Sequence, residues 1–410
     1  MLWAYGLRRF LKHGSLTVVD AEGRTHQFGN GEVPACRIRL HDKALHWKLL
    51  VNPKLCFGEA YTDGTLTIEQ GTLPELLNML AYNLHLFEGP RGMEQVVAPL
   101  LNRILQFNPL ERSRENVERH YDLSNDFYRL FLDEDMQYSC AYFTQPQATL
   151  EEAQWAKKAH IAAKLLLQPG MQVLDIGCGW GGMAIFLARE FGVQVTGITL
   201  SSEQHALATQ RVRAAGLEGQ VEIVLRDYRH QEGSFDRIVS VGMFEHVGPG
   251  HHAEFFRKMQ ALLKPDGVAL LHSIGRSDGP GIPNAWIRKY VFPGAGAPAL
   301  SSVVPEIERS GLWMTDVEIL RLHYARTLDE WQARFQQHRA EVAARYDERF
   351  CRLWEFYLAA TSAFFRFGGL MVFQIQMSRQ IGAVPITRDY IGQSEQLLRM
   401  PAAVKRSRAA

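Results

Sequence analysis

Apolar and polar residues alternate over Leu16-Thr17-Val18-Val19 and over Cys36-Arg37-Ile38-Arg39-Leu40, which predicts two half-buried strands. Leu66-Thr67-Ile68 follows a turn at Asp63-Gly64, and Leu73 to Leu86 carries the apolar spacing of a helix. Gly89-Pro90-Arg91-Gly92 punctuates the end of this small α+β module. Leu100 to Phe107 reads as a connecting helix, followed by the polar run Glu111 to Arg119.

Beyond Arg114 the pattern changes to alternating helix and strand. Glu151 to Leu167 reads as a helix closed by Pro169-Gly170, and Val173 to Ile176 as a buried strand. Val193 to Ile198, Val221 to Leu225, Phe235 to Val241 and Val268 to His272 are further strands. The helices Gln204 to Ala215 and His252 to Leu263 lie between them, and Lys264-Pro265-Asp266-Gly267 reads as a turn. Such alternation predicts an α/β domain with a parallel sheet. After Gly275 come loop and helix: Trp286 to Phe292, Pro305 to Ser310, Thr327 to Arg345, and one long helix over Tyr346 to Arg379 that includes a buried apolar run, Gly368 to Phe373. Insertions of this kind build a cover over the strand ends. The expected organisation is an amino-terminal module over residues 1–95, a linker helix over 96–113, a catalytic domain over 114–400 and a flexible tail over 401–410.

The chemistry concentrates in Val173-Leu174-Asp175-Ile176-Gly177-Cys178-Gly179-Trp180-Gly181-Gly182. A strand closes on an acid, turns through glycines and opens into the helical Met183 to Ala188. Glycine permits positive φ and close backbone approach, and the helix behind it offers unpaired N–H groups. Gly177, Gly179 and Gly182 formally satisfy the dinucleotide pattern, so the loop alone leaves NAD and S-adenosylmethionine both open. Two features favour S-adenosylmethionine. Asp175 precedes the first glycine, as in class I methyltransferases. The next strand runs into Thr199-Leu200-Ser201-Ser202-Glu203-Gln204 without the ribose-binding acid of NAD proteins.

Composition narrows the partners. A net charge of +1 over 410 residues argues against a general nucleic-acid binder. The five cysteines are scattered without a C-x-x-C pair, which predicts reduced thiols and a cytoplasmic setting with no metal site. His251-His252 is an adjacent pair that cannot share one helix face, so it reads as a solvated or loop pair and not as ligands. The first twelve residues do not form an export signal, because Arg8, Arg9 and Lys12 interrupt the apolar run. No apolar stretch is long enough to span a bilayer, so membrane contact is expected to be peripheral. Leu2, Trp3, Leu7, Phe10 and Leu11, with those three cations, have the character for weak contact with anionic lipid, and equally for a helix packed on its own domain.

Several separated stretches together resemble the cyclopropane-fatty-acyl-phospholipid synthases and their mycolic-acid methyltransferase relatives. They are His120 to Tyr128, Gln137 to Phe143, Asp175 to Gly182, Thr199 to Gln204, Met243 to Gly248, His272 to Gly275, Trp286 to Gly294 and His323 to Leu328. The amino-terminal module, with Phe57-Gly58-Glu59-Ala60-Tyr61, is similar to the branch that acts on phospholipids. The resemblance implies a class I S-adenosylmethionine-dependent methyltransferase fold, Rossmann-like, with helical lid insertions. It implies donor contacts at Tyr138, Ser139, Asp175, Gly177, Gly179, Thr199, Leu200, Gln204, Asp227 and Tyr228, with Gln204 at the ribose and Tyr228 by the adenine. It also implies a homodimer at the inner face of the cell membrane.

The reaction implied is methylene addition across a cis double bond of a phospholipid acyl chain. Methyl transfer to a weakly nucleophilic alkene leaves a carbocation, and a proton must then leave the new methyl for the ring to close. A base, exclusion of water and electron-rich surfaces are needed. In the family bicarbonate is the base, and the resemblance puts its ligands at Cys140, Glu245, His272, Ile274 and Tyr324. Tyr121, Tyr324 and Phe292 are the candidate ring faces for the cation and lipid. The chain departs from the family at Tyr357-Leu358-Ala359-Ala360-Thr361, where many relatives carry a cysteine, so a thiolate mechanism there is impossible. Ala297 replaces a leucine of the lipid-site stretch, which leaves acyl-chain preference and the fate of the cation open. Alternatives are a non-cyclising methyltransferase giving a methyl-branched acyl chain, and a catalytically lapsed lipid-binding protein.

Overall fold

In a computed structural model, which describes residues 2–86 and 124–399, alternation becomes two separate sheets. The expected boundary at 95, the linker helix 96–113, Tyr121 and the tail 401–410 lie outside the described residues. The chain divides into two compact units. The described residues of the first fall within Met1–Leu101, Gly281–Pro293 and Tyr324–Leu370, and those of the second within Asn102–Pro280, Gly294–His323 and Met371–Ala410.

The first unit is built on four strands, β1 (Ser15–Val19), β2 (Thr25–Gly29), β3 (Ala35–Leu40) and β4 (Leu66–Gln70), in the order β2-β1-β3-β4. β1 and β3 run parallel, and both outer pairs are antiparallel. The inward half of the alternation (Leu16, Val18, Ile38, Leu40) meets Leu76 and Met79 of the helix Leu73–Leu86. Leu11 is buried there, and Leu7 and Phe10 pack against the same core, so these three expected lipid-facing residues serve their own unit. Buried Asn83 accepts from the backbone amides of Lys12 and His13 and donates to the carbonyls of His13 and Met79. The helices Ala285–Tyr290 and Glu348–Phe367 join this unit, with Trp286 edge-on to Phe356 at 4.7 Å.

The second unit holds seven strands: β5 (Gln172–Ile176), β6 (Gln194–Thr199), β7 (Val221–Leu225), β8 (Phe235–Val241), β9 (Leu263–Arg276), β10 (Trp313–Ile319) and β11 (Leu370–Ser378). Their order is β10-β11-β9-β8-β5-β6-β7. The pairs from β9 to β7 are parallel, and β10 runs antiparallel to β11. Successive residues divide between two cores. Leu174, Ile238, Ala269 and Leu271 join one with the helix His252–Leu262, while Val173, Val239 and Leu270 join another with the helices Leu150–Leu165 and Gly182–Phe191. A sheet buried on both faces is the doubly wound α/β arrangement the alternation predicts.

Three expectations change. The long helix over 346–379 ends at Phe367, and Leu370–Ser378 is a strand inside the sheet. A short run buried on both faces has no helical or strand period to display, and the pair Gly368-Gly369 breaks the helix before it. β10 pairs with it in a position the sequence left as loop. The expected turn at Lys264–Gly267 is absorbed into β9, with a register shift between Phe235 and Arg237 opposite. Among the described residues, no helix is long and apolar enough to cross a membrane.

Candidate active site

The site lies where β5, β6 and β8 end. After Ile176 the backbone turns through Gly177 at φ +85° and Gly179 at φ +53° before Gly181 opens the helix Gly182–Phe191. The amides of Gly177 and Cys178 both donate to the Ile198 carbonyl at 3.0 Å, tying the turn to β6. A Cβ on Gly177 would stand 2.7 Å from Met243 Cβ, so glycine is required there by φ and by space.

This turn forms one wall of a cleft. Tyr138, Ser139, Asp175, Gly177, Gly179, Thr199, Leu200, Gln204, Asp227 and Tyr228 all line it. Every residue assigned to the donor from sequence therefore faces one cavity. Thr199 Oγ1 donates to Gln204 Oε1 at 2.9 Å, and Ser201 Oγ accepts from the Gln204 amide, fixing this corner. Asp227 accepts from Arg229 through its backbone amide, Nε and Nη2 at 2.7–2.9 Å. Burial raises the Asp227 pKa, but these bonds outweigh it and hold the carboxylate below its ordinary value. Burial pushes the Tyr228 hydroxyl well up, so it stays neutral.

Asp175 is 1% exposed, and its Oδ2 has no hydrogen-bond partner among the described residues. Burial raises its pKa to about 7, opposed by the charge of Lys157. A carboxylate this poorly compensated suits a cationic ligand. The Lys157 ammonium, itself driven down to about 7 by burial, donates to Gln137 Oε1 at 2.6 Å and Ser139 Oγ at 2.8 Å. Gln154 Nε2 donates to the carbonyls of Gln137 and Ser139. The helix Leu150–Leu165 thus sets the Gln137–Ser139 wall of the cleft. Lys157, Gln137 and Gln154 were not singled out from the sequence. For Gln154 and Lys157 the signal was a polar stripe, Gln154, Lys157, His160 and Lys164, along an otherwise alanine-rich helix.

The expected catalytic residues divide between the units. Glu245 sits on the short turn Phe244–His246 that follows β8, and Ile274 lies on β9. The Ile274 amide donates to Glu245 Oε1 at 2.6 Å, while Oε2 is buried without a partner among the described residues. Burial lifts the Glu245 pKa to about 7, and the Ile274 amide restrains the rise. His272, 2% exposed on the same strand, is held neutral chiefly by burial, and its Nδ1 lies 3.1 Å from Gln374 Nε2. Cys140 is 1% exposed directly after the cleft wall. Tyr324 belongs to the first unit, edge-on to Trp331 at 5.9 Å and tilted on Phe365 at 4.8 Å. Phe292 is in that unit too, edge-on to Tyr357 at 5.7 Å. The His251-His252 pair, expected to be solvated or in a loop, is split: His251 is half-buried at the end of a short turn and His252 is buried. His252 is 4% exposed and stacks on Phe244 at 4.5 Å, because it starts a helix whose inner face is core.

Comparison with known proteins shows the family. Residues 109–375 match the family described as mycolic acid cyclopropane synthetase, and residues 9–88 match a domain of unknown function. The chain is 38% identical over 364 residues to a probable fatty acid methyltransferase of Pseudomonas putida, covering 85% of this chain and 89% of that protein. It is 37% identical over 354 residues to the cyclopropane-fatty-acyl-phospholipid synthase of Escherichia coli K12, covering 86% and 90%. The solved cyclopropane synthase MmaA2 of Mycobacterium tuberculosis superposes with a TM-score of 0.62 at 37% identity, covering 66% of this chain and 98% of that one.

Proposed function

The chain belongs to the mycolic acid cyclopropane synthetase family and is an S-adenosylmethionine-dependent methyltransferase, and from that premise we propose that it cyclopropanates an unsaturated acyl chain of a membrane phospholipid. The observation that carries this reading is the pairing of Glu245 with the Ile274 amide: Glu245 follows β8, beside Met243 and His246 of the cleft, and Ile274 lies on the neighbouring strand β9. A simple methyl transfer to nitrogen or oxygen loses its proton readily to solvent. A group able to hold a proton in a buried place is what ring closure on carbon demands.

The cleft suits the donor on its own evidence. Asp175 presents a buried, underpaired carboxylate to a cationic ligand, the bare backbone at Gly177 allows close approach, and the Thr199–Gln204 corner offers polar groups to a ribose. S-adenosylmethionine bound there supplies an electrophilic methyl on a sulfonium. The protein's own task is to orient that ligand and keep water out.

Glu245 Oε1 is occupied by Ile274 N–H, which leaves Oε2 as the atom that can hold a proton. A carboxyl with a pKa of about 7 can gain or lose that proton at neutral pH. His272 and Cys140 are assigned to the proposed bicarbonate, which would supply the base, on their sequence motifs. Tyr324 enters the set on its sequence motif, as do Tyr121 and Phe292 for the lipid. The proposed setting is the cytoplasm, with peripheral contact at the inner face of the cell membrane and a homodimeric assembly.

The test is incubation with labelled S-adenosylmethionine and vesicles of mixed unsaturated phospholipids, followed by mass spectrometry of the acyl chains. A product that gains CH₂ and loses the alkene is expected. A product that retains unsaturation or carries a methyl branch would favour the activity named for the Pseudomonas relative. Donor binding without any acyl product would leave a lapsed lipid-binding protein.

A further inference from the structure

His272 Nδ1 and the Gln374 amide stand 3.1 Å apart in the interior of the second unit, and the direction of the bond depends on which way the amide is turned. The next contact along the chain of bonds decides it. Gln374 Oε1 accepts from Lys164 Nζ at 2.8 Å, and an ammonium has only donors to offer. The amide is therefore turned with its oxygen to Lys164 and its NH₂ to His272, so Nδ1 accepts. A neutral imidazole that accepts at Nδ1 carries its proton on Nε2.

The peg behind Gln374 is itself over-determined. Lys164 donates to Glu318 Oε2 and lies 3.5 Å from Asp316. Glu318 also takes His160 Nε2 at 2.7 Å, while His160 Nδ1 meets Glu395 at 2.6 Å. Gln376, two residues along β11 from Gln374, donates to the Lys164 carbonyl and to Tyr390 Oη, and accepts from Thr315 at 2.8 Å. Lys164, Gln374 and Gln376 are each at most 1% exposed. A half-satisfied buried network is costly, so such complete pairing specifies one arrangement.

We infer that Gln374, set by Lys164, is a positioning residue that fixes His272 as its Nε2–H tautomer and thereby makes it a hydrogen-bond donor, not a proton acceptor. The functional half of this rests on the reading above, in which His272 serves the reaction's anion. Lys157, Lys164 and His160 disfavour the imidazolium, as burial does.

The first test reads the unsubstituted active site. In long-range ¹H–¹⁵N spectra of the histidine-labelled full-length protein, with the signal assigned by His272→Gln, His272 should show an unprotonated Nδ1 and a protonated Nε2 from about pH 6 to 8. A protonated Nδ1 overturns the inference. Gln374→Glu would place a carboxylate against Nδ1, reverse the tautomer and lower kcat about a hundredfold, with donor Kd within about twofold. The same substitution in a His272→Ala background should cost no further rate, and an equal loss there overturns the positioning role. If no acyl product forms yet Nε2–H is observed, the functional reading fails while the tautomer assignment holds. Product formation with a protonated Nδ1 does the reverse.

Discussion

Glu245 and Ile274 are 29 residues apart in the chain, and the Ile274 amide donates to Glu245 Oε1 at 2.6 Å. The pairing gives the carboxyl two unlike oxygens. One is anchored to the sheet backbone, and the other is buried without a partner among the described residues. An acid so placed is held still while remaining able to exchange a proton.

Glu245→Gln keeps the size of the side chain and an oxygen for Ile274, but cannot take up a proton. It is expected to lower kcat by about a hundredfold while leaving donor Kd within about twofold, since general acid–base groups contribute on this scale. Labelled-donor turnover and titration calorimetry check the two halves separately. Loss of activity that tracks loss of donor binding would place Glu245 in the donor site instead.

Asp175 offers a pH test. Its folded pKa, about 7, lies above the ordinary 3.8, so the folded state binds the extra proton. Stability from this group is complete below the unfolded value and is lost as pH rises from about 4 through 7. Asp175→Asn should therefore be more stable than the parent at pH 8, by up to about 4 kcal/mol, and no more stable at acid pH. Thermal unfolding of the donor-free protein across that range would show the curves converging on the acid side. Donor affinity should fall in the same variant.

Gly177→Ala forces a side chain into φ +85° and against Met243 Cβ at 2.7 Å. Strain of about 1–3 kcal/mol is expected at such a position. The turn should distort more than the fold unravels, so donor affinity is expected to drop at least tenfold with only a modest fall in Tm. Calorimetry beside a melting curve separates the two.

Gln204→Ala removes the partner of Thr199 Oγ1 and one polar wall of the cleft. Loss of a buried hydrogen-bonded group costs about 1–3 kcal/mol, so donor KM should rise roughly tenfold or more. At saturating donor, kcat should stay near the parent value, because Gln204 is assigned to binding and not to the proton. A fall in kcat with unchanged KM would contradict that assignment.

The residues assigned to the donor line one cleft, and they could be gathered from the sequence because many lie in short local motifs at strand ends. Glycines at 177 and 179, the acid before them and the Thr199–Gln204 run are each a few residues long, and the parallel sheet brings such ends together. The buried polar contacts were not legible. Nothing in the sequence marks Lys157 and Lys164 of the helix Leu150–Leu165, or Gln374 on β11, as fully buried, since that depends on how helix and sheet pack.

By itself the sequence determined the αβ alternation, the glycine turn and the family motifs, since these depend on local periodicity and on residue types that few other turns accept. It could not determine that 370–378 is a strand, because an apolar run buried on both faces carries no period to read. Nor could it determine which partner gives His272 its proton arrangement. That choice is made by Gln374, 102 residues away, and by Lys164, 210 residues from Gln374. Only the packing of helix Leu150–Leu165 on the sheet brings an ammonium, an amide and an imidazole into one line of hydrogen bonds, where low dielectric makes each bond's direction matter.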